Sequence, residues 1–176
     1  NKPAENEKAF TEDGYFRTGD AGRMEGNTLF FTERIKDLYK TSNGKYIAPQ
    51  AIEMVMSGDQ YIEQIAVIGD QRKFVSALIV PAYSLLEKYA EEKGLAVGSR
   101  EELVRNKEVL RLIETHIEEN QKNLASYEKI KRFTLLSEPF TMGSELTDTL
   151  KLRRSVILKK YADSIEKMYE EASNPS

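Results

Sequence analysis

The stretch Ile62–Val80 reads IEQIAVIGDQRKFVSALIV. It holds two runs rich in β-branched residues, Ile62–Ile68 and Phe74–Val80, on either side of the polar break Gly69-Asp70-Gln71-Arg72-Lys73. β-Branched side chains fit a pleated surface, and short apolar runs bounded by turn residues read as strands buried on both faces. The break predicts a hairpin of two central strands.

Upstream of this hairpin, Pro49 suits the first turn of a helix, where its missing N–H is no loss. Ile52, Val55 and Met56 then share one face, and Gly58 stops the element. Leu38–Lys40 and Lys45–Ala48 predict two short strands around the turn Ser42-Asn43-Gly44. Further back, Thr28–Thr32 follows a Gly26-Asn27 turn and predicts another strand. Between them Arg34–Asp37, RIKD, has three charged residues of four and predicts an exposed connector.

Downstream, Tyr83–Lys93 predicts a helix ended by Gly94, and Ser99 with Glu102 resembles a capping box. Leu103, Leu110, Ile113 and Ile117 recur at helical spacing, predicting two helices broken near Asn106 and running to about Asn123. Ile130–Leu136 predicts a third core strand, closed by Pro139, and Thr141–Leu150 is turn-like. Arg153–Ala172 reads as one helix with Val156, Ile157, Tyr161, Ile165 and Met168 on its buried stripe. No internal repeat and no regular βαβ crossover is visible. The expected fold is α+β: a small domain over residues 36–176 with a central three-stranded sheet, a short β-hairpin and flanking helices. Residues 1–35 are too few for a core of their own.

The chain has 176 residues, 40% hydrophobic and 31% charged, enough apolar content for a packed core. A net charge of −3 gives no electrostatic ground for a nucleic-acid partner. The absence of cysteine excludes disulfides, thiolate metal sites and cysteine nucleophiles, and suits a reducing, cytoplasmic setting. No apolar run approaches the roughly 18 residues of a membrane-spanning helix. The polar start NKPAENEKAF has no signal-peptide core and no initiator methionine, so the chain is expected to be a segment of a longer protein.

Several residues have chemistry worth weighing. Asp20, after Thr18-Gly19 in Tyr15–Asp20 (YFRTGD), could accept hydrogen bonds from a ribose diol; an isolated aspartate there is more often a turn or cap residue. Arg34 could grip a phosphate or ribose oxygen, and Lys36 and Lys151 could act as mobile point charges, though each by default is a solvated cation. Gly44 permits positive φ and close ligand approach, yet glycine after asparagine is also an ordinary turn. His116, among Glu114, Glu118 and Glu119, has no second ligand at metal spacing and reads as a surface histidine.

The ordered set is far more specific than its parts. Tyr15–Asp20, then Arg34–Asp37, then Lys40–Pro49 with Ile52-Glu53, then Leu146–Arg154 (LTDTLKLRR) together resemble the trailing third of adenylate-forming enzymes. That superfamily holds acyl-CoA synthetases, peptide adenylation domains and beetle luciferases. KTSNGKYIAPQ (Lys40–Gln50) and LTDTLKLRR look more narrowly like the bacterial long-chain fatty acyl-CoA ligases. The resemblance spans about residues 10–160.

It implies that residues 1–35 are the tail of an upstream ATP-binding domain and 36–176 a mobile lid. The lid would turn over its own N-terminal domain between two half-reactions, with ATP, fatty acid and CoA as substrates. It implies Asp20 on the ribose of ATP, Arg34 on the same nucleotide, and Lys36 at the hinge. Lys151 would serve adenylation as the catalytic lysine, and Gly44 with Lys45 would border the CoA arm. Mg2+ would find its ligands in the upstream domain, and the segment alone would be inactive. A poorly soluble acyl substrate is compatible with peripheral contact at the inner face of the membrane, although no basic amphipathic helix marks one.

Two positions depart from the wider pattern: Leu150 stands where many relatives have glycine, and Pro49-Gln50-Ala51-Ile52-Glu53 replaces a more acidic motif. The alternatives are an acyl-adenylating enzyme with another acceptor, or a non-catalytic α+β interaction module.

Overall fold

The computed structural model describes residues 9–170. Its first regular unit is an antiparallel hairpin of β1 (Asp20–Glu25) and β2 (Thr28–Arg34), turned at Gly26 with φ +60°. The β2 strand extends the expected Thr28–Thr32 run, whereas β1 was not foreseen. Its sequence, DAGRME, has no apolar alternation because nearly all of the strand is exposed, and pairing with β2 is what holds it. Arg34 leads into a single 3-10 turn, Ile35–Asp37, flanked by extended Arg34 and Leu38 and containing no buried residue. The expected exposed connector is therefore one tight turn.

A second, two-residue hairpin follows, β3 (Tyr39–Lys40) with β4 (Tyr46–Ile47), and then α1 (Pro49–Met56) with proline in its first turn. Ile52 and Met56 point into the core, while Val55, expected beside them, is exposed.

The main sheet has the order β5 (Ile62–Ile68), β6 (Val75–Pro81), β7 (Ile130–Leu135). β5 and β6 form the expected antiparallel hairpin, with Ile65 opposite Ile79. All seven residues of β6 are buried, as a central strand requires. β7 runs parallel to β6, with Ala77 opposite Phe133. Parallel neighbours need a crossover. Here it is made by α2 (Tyr83–Glu92), α3 (Arg100–Leu103) and α4 (Lys107–Asn120), so the expectation of no such crossover is corrected. Three helices of unequal length lack the compact period by which a βαβ unit is recognised.

The Ser99 hydroxyl accepts from the N–H of Glu102, as a cap should, but the Glu102 carboxylate returns to Gly98 N, at 2.7 Å, rather than to Ser99. Asn106 caps α4 through the N–H of Glu108. His116 is not a free surface residue. Its Nδ1 lies 2.7 Å from Asp59 Oδ2, which Asn120 also bonds, and its ring meets the edge of Tyr61.

The expected single C-terminal helix is two: α5 (Arg154–Lys160) and α6 (Ala162–Glu170), with Tyr161 at the break. No glycine or proline announces this. Tertiary contact supplies the reason, because Tyr161 packs near Phe140 and its hydroxyl donates to Glu145 at 3.4 Å. The expected end at Ala172 lies outside the described residues. Ile157, Ile165 and Met168 nevertheless join Ile52, Met56, Leu78, Leu86 and Ile113 in one apolar core, where each large side chain contributes about 1.5–3 kcal/mol.

Candidate functional site

The candidate residues fall on three anchored pieces. The first is the β1–β2 hairpin, whose register sets Asp20 directly opposite Arg34. The guanidinium Nε is 3.0 Å from Asp20 Oδ1, and Arg34 Nη1 reaches Thr18 O at 3.5 Å. The N–H of Asp20 donates to Thr18 Oγ1, and Ile35 N donates to Gly19 O at 2.8 Å. Asp20, Arg34 and Lys36 thus line one cleft of ≈ 760 Å³, together with Phe16 and Arg17. Arg34 fixes the orientation of the carboxylate, which a residue-by-residue reading could not reveal.

The second piece is the Gly44 turn between β3 and β4. Gly44 has φ +77°, and a Cβ there would meet nothing within 4 Å. What glycine supplies is left-handed backbone, not room against the protein. The turn closes on Thr41, whose Oγ1 accepts from Lys45 N at 3.2 Å and whose C=O accepts from Gly44 N at 2.9 Å. It is anchored to the β5–β6 connection by Ser42 N to Arg72 O at 2.9 Å and Asn43 Nδ2 to Lys73 O at 3.3 Å. The Lys45 ammonium lies over the Tyr127 ring, 5.7 Å from its centroid.

The third piece is the segment 141–153. Lys151 is exposed, and among the described residues its ammonium has no ion-pair partner. Its backbone is firmly held: Lys151 N donates to Thr147 Oγ1 at 3.1 Å and its C=O accepts from Thr147 N at 2.9 Å. Leu150, before it, has φ +59°. Glycine adopts that conformation freely, whereas leucine adopts it at a cost.

Three residues outside the expected site set organise the rest. Glu53 on α1 receives both Arg154 nitrogens, at 2.9 and 2.8 Å, and also accepts from Val67 N at 2.8 Å. Arg154 lies over the Tyr39 ring as well. The Lys151 segment and the Gly44 hairpin are therefore tied through one charged node, and Glu53 and Arg154 each stand inside motifs already singled out. Glu145, in contrast, had no sequence signal separating it from Asp148, yet it is fully buried. Burial opposes its ionisation, but hydrogen bonds from Lys160 and from Thr141 outweigh this and draw its pKa down to about 2.

A three-stranded α+β layer that carries these loops behind a single 3-10 turn defines a class. The chain belongs to the AMP-binding enzyme C-terminal domain family, whose model matches residues 36–173. Long-chain-fatty-acid–CoA ligase 5 of Mus musculus is 34% identical over 173 residues, covering 96% of this chain and 25% of that protein. Long-chain-fatty-acid–CoA ligase FadD15 of Mycobacterium tuberculosis is 32% identical over 170 residues, 93% of this chain and 28% of the relative. The chain thus spans about a quarter of the length of these curated relatives. Among solved structures, the adenylation domain of a carboxylate reductase from Mycobacterium chelonae superposes with a TM-score of 0.72 at 28% identity, over 96% of this chain and 25% of that one.

Proposed function

We propose that residues 36–176 are the mobile lid of a long-chain fatty acid–CoA ligase and residues 1–35 the tail of its ATP-binding domain. The observation that carries this reading is the placement of both motif loops on one small domain. An exposed lysine, Lys151, and a left-handed glycine turn, Gly44, stand on two different loops of this domain, downstream of a single-turn connector centred on Lys36. The relatives that match nearly the whole chain are long-chain ligases.

In the first half-reaction a fatty acid carboxylate oxygen attacks the α-phosphorus of ATP, and pyrophosphate leaves. Two anions must meet, so a preorganised cation at the bridging oxygens lowers the barrier. Lys151 fills that role. Asp20 accepts hydrogen bonds from the ribose hydroxyls, and Arg34 orients Asp20 while contacting the nucleotide. In the second, the CoA sulfur attacks the acyl carbonyl, its proton is lost, and AMP departs. Lys151 is then no longer needed, and the turn at Gly44 and Lys45 borders the arm that brings the thiol. Rotation about Lys36 exchanges the two faces.

ATP, CoA and fatty acid are the substrates on this reading, and the upstream domain is the lid's physical partner. Mg2+ accompanies ATP on ligands of that domain; among the described residues no group of three or more acidic, histidine or cysteine side chains is arranged to hold a metal. The cysteine-free composition suits a cytoplasmic enzyme. No helix of the described residues is long and apolar enough to cross a membrane, and peripheral contact at its inner face would serve a poorly soluble substrate.

The test uses the full-length enzyme containing this chain. Lys151→Ala lowers acyl-adenylate formation by about a hundredfold or more, the scale of losing one preorganised donor, and leaves transfer from preformed acyl-adenylate to CoA nearly intact. The isolated chain forms no thioester. Thioester formation by the isolated chain, or unimpaired adenylation by Lys151→Ala, contradicts the reading.

A further inference from the structure

We propose that Glu145 is the positioning residue for Lys151: its buried carboxylate sets the shape of the 141–153 segment and thereby where the lysine stands. This deepens the assignment of Lys151 to adenylation and rests on it.

The segment contains no helix or strand, only the bridges Met142–Leu146 and Leu146–Leu152. A loop of this kind has many conformations unless something over-determines one. Glu145 does so from the inside. One carboxylate oxygen accepts from Thr141 N at 3.1 Å and Thr141 Oγ1 at 3.3 Å, at the start of the segment. The other receives the Lys160 ammonium and the Tyr161 hydroxyl, from the end of α5 and the helix break. The Glu145 C=O accepts from Arg153 N at 2.7 Å, two residues past Lys151. Arg153 in turn donates to Gly143 O at 3.0 Å and Ser144 O at 3.1 Å. From Glu145 the chain runs through Leu146 to Thr147, the residue that holds both backbone groups of Lys151. The carboxylate thus joins the entry of the segment to the end of α5 and the helix break, and the backbone carbonyl of the same residue holds the exit.

Such a group is a poor choice for stability alone. A carboxylate with 0% exposure carries a large desolvation penalty, and an apolar side chain of similar size often serves a core equally well. What apolar packing lacks is direction. Hydrogen bonds from four groups define one arrangement where dispersion contacts allow several. Lys151 needs that arrangement, because its neighbour Leu150 sits at φ +59° and its own side chain has no ion pair among the described residues. A lysine on a four-carbon stem acts at a defined point only if its backbone is placed first.

The experiment measures both half-reactions of the full-length enzyme for Glu145→Gln, Lys160→Met, Lys160→Arg and Lys151→Ala. Glu145→Gln keeps the shape and an acceptor oxygen but loses the charge. Lys160→Met removes the partner from its half-exposed end, so it keeps the question answerable if the glutamine variant does not fold. The expected result is a fall of about tenfold or more in adenylation for both, as for a misplaced catalytic group, with transfer from preformed acyl-adenylate changed less than about twofold. Lys160→Arg restores adenylation. Equal losses in both half-reactions would make the cluster merely structural and overturn the proposal. Unimpaired adenylation in Glu145→Gln and Lys160→Met, beside a loss in Lys151→Ala, removes the positioning role alone. No loss in Lys151→Ala removes the parent reading and this proposal with it.

Discussion

Asp20 and Arg34 are opposite partners across the β1–β2 hairpin, and their side chains form an ion pair with Nε 3.0 Å from Oδ1. Fourteen residues of sequence separate them, and the hairpin turn at Gly26 cancels that distance. One carboxylate is thereby held by one guanidinium at the mouth of the cleft that Lys36 also lines.

On the proposed reading, their closeness makes any role in nucleotide binding interdependent. In the full-length enzyme Asp20→Asn raises the KM for ATP roughly 10- to 100-fold, the scale of a hydrogen bond to a charged group. Arg34→Leu raises it too. The double variant falls short of the product of the two, because residues in contact couple by about 0.5–3 kcal/mol. Steady-state kinetics with ATP as the varied substrate checks this, and strictly multiplicative effects would mean that the pair acts as two independent groups.

Leu150 tests the left-handed backbone before Lys151. An L-residue there costs about 1–2 kcal/mol, more when β-branched. Leu150→Gly removes that cost but adds unfolded-state entropy, so stability changes by no more than about 1 kcal/mol. Leu150→Ile lowers it by roughly 1–2 kcal/mol. Denaturant unfolding measures both, and equal destabilisation by the two would show that lost side-chain contacts, not φ, govern the site.

Acid tests the buried carboxylates. Glu145 is held near a pKa of about 2 against an ordinary 4.5. Asp59 also lies below its ordinary 3.8: burial opposes its charge, and bonds from Tyr61 N, Asn120 and His116 outweigh it. A depressed folded-state pKa stabilises above the unfolded value and loses that contribution as pH falls toward the folded one. Stability therefore drops as pH falls from about 4.5 to 2. Glu145→Gln is less stable at neutral pH, by roughly 1–3 kcal/mol, the scale of weakened hydrogen bonds at a buried group, and its acid slope is shallower. Urea midpoints between neutral pH and pH 2 report this, and identical slopes for the two proteins would exclude Glu145 as a contributor.

The legible parts of the molecule are those whose local chemistry agrees with their tertiary role. The β5 and β6 runs are apolar because both faces are covered, and Pro49, Gly94 and Asn106 mark ends set by local backbone or a local side-chain cap. β1 was hidden because an exposed strand needs no pattern. The break at Tyr161 and the parallel course of β7 were hidden because long-range contacts set them. The site divides likewise. Asp20, Arg34, Lys36, Gly44, Lys45 and Lys151 were named by an ordered motif set, whereas the burial of Glu145 and the pairing of Glu53 with Arg154 depend on partners 15 and 101 residues away as well as on local ones.

The central claim is that one lid turns about Lys36 to present two faces in succession. Single-turnover measurement of both half-reactions in a full-length Lys36→Pro enzyme tests it most directly. Proline fixes φ at position 36 and restricts Ile35 before it, so the connector loses freedom to rearrange. The account predicts adenylation within about threefold of the parent and CoA transfer slowed roughly tenfold or more, the reverse of Lys151→Ala, as expected when a gating motion is blocked. Equal slowing of both half-reactions by Lys36→Pro, or no slowing of either, would contradict it.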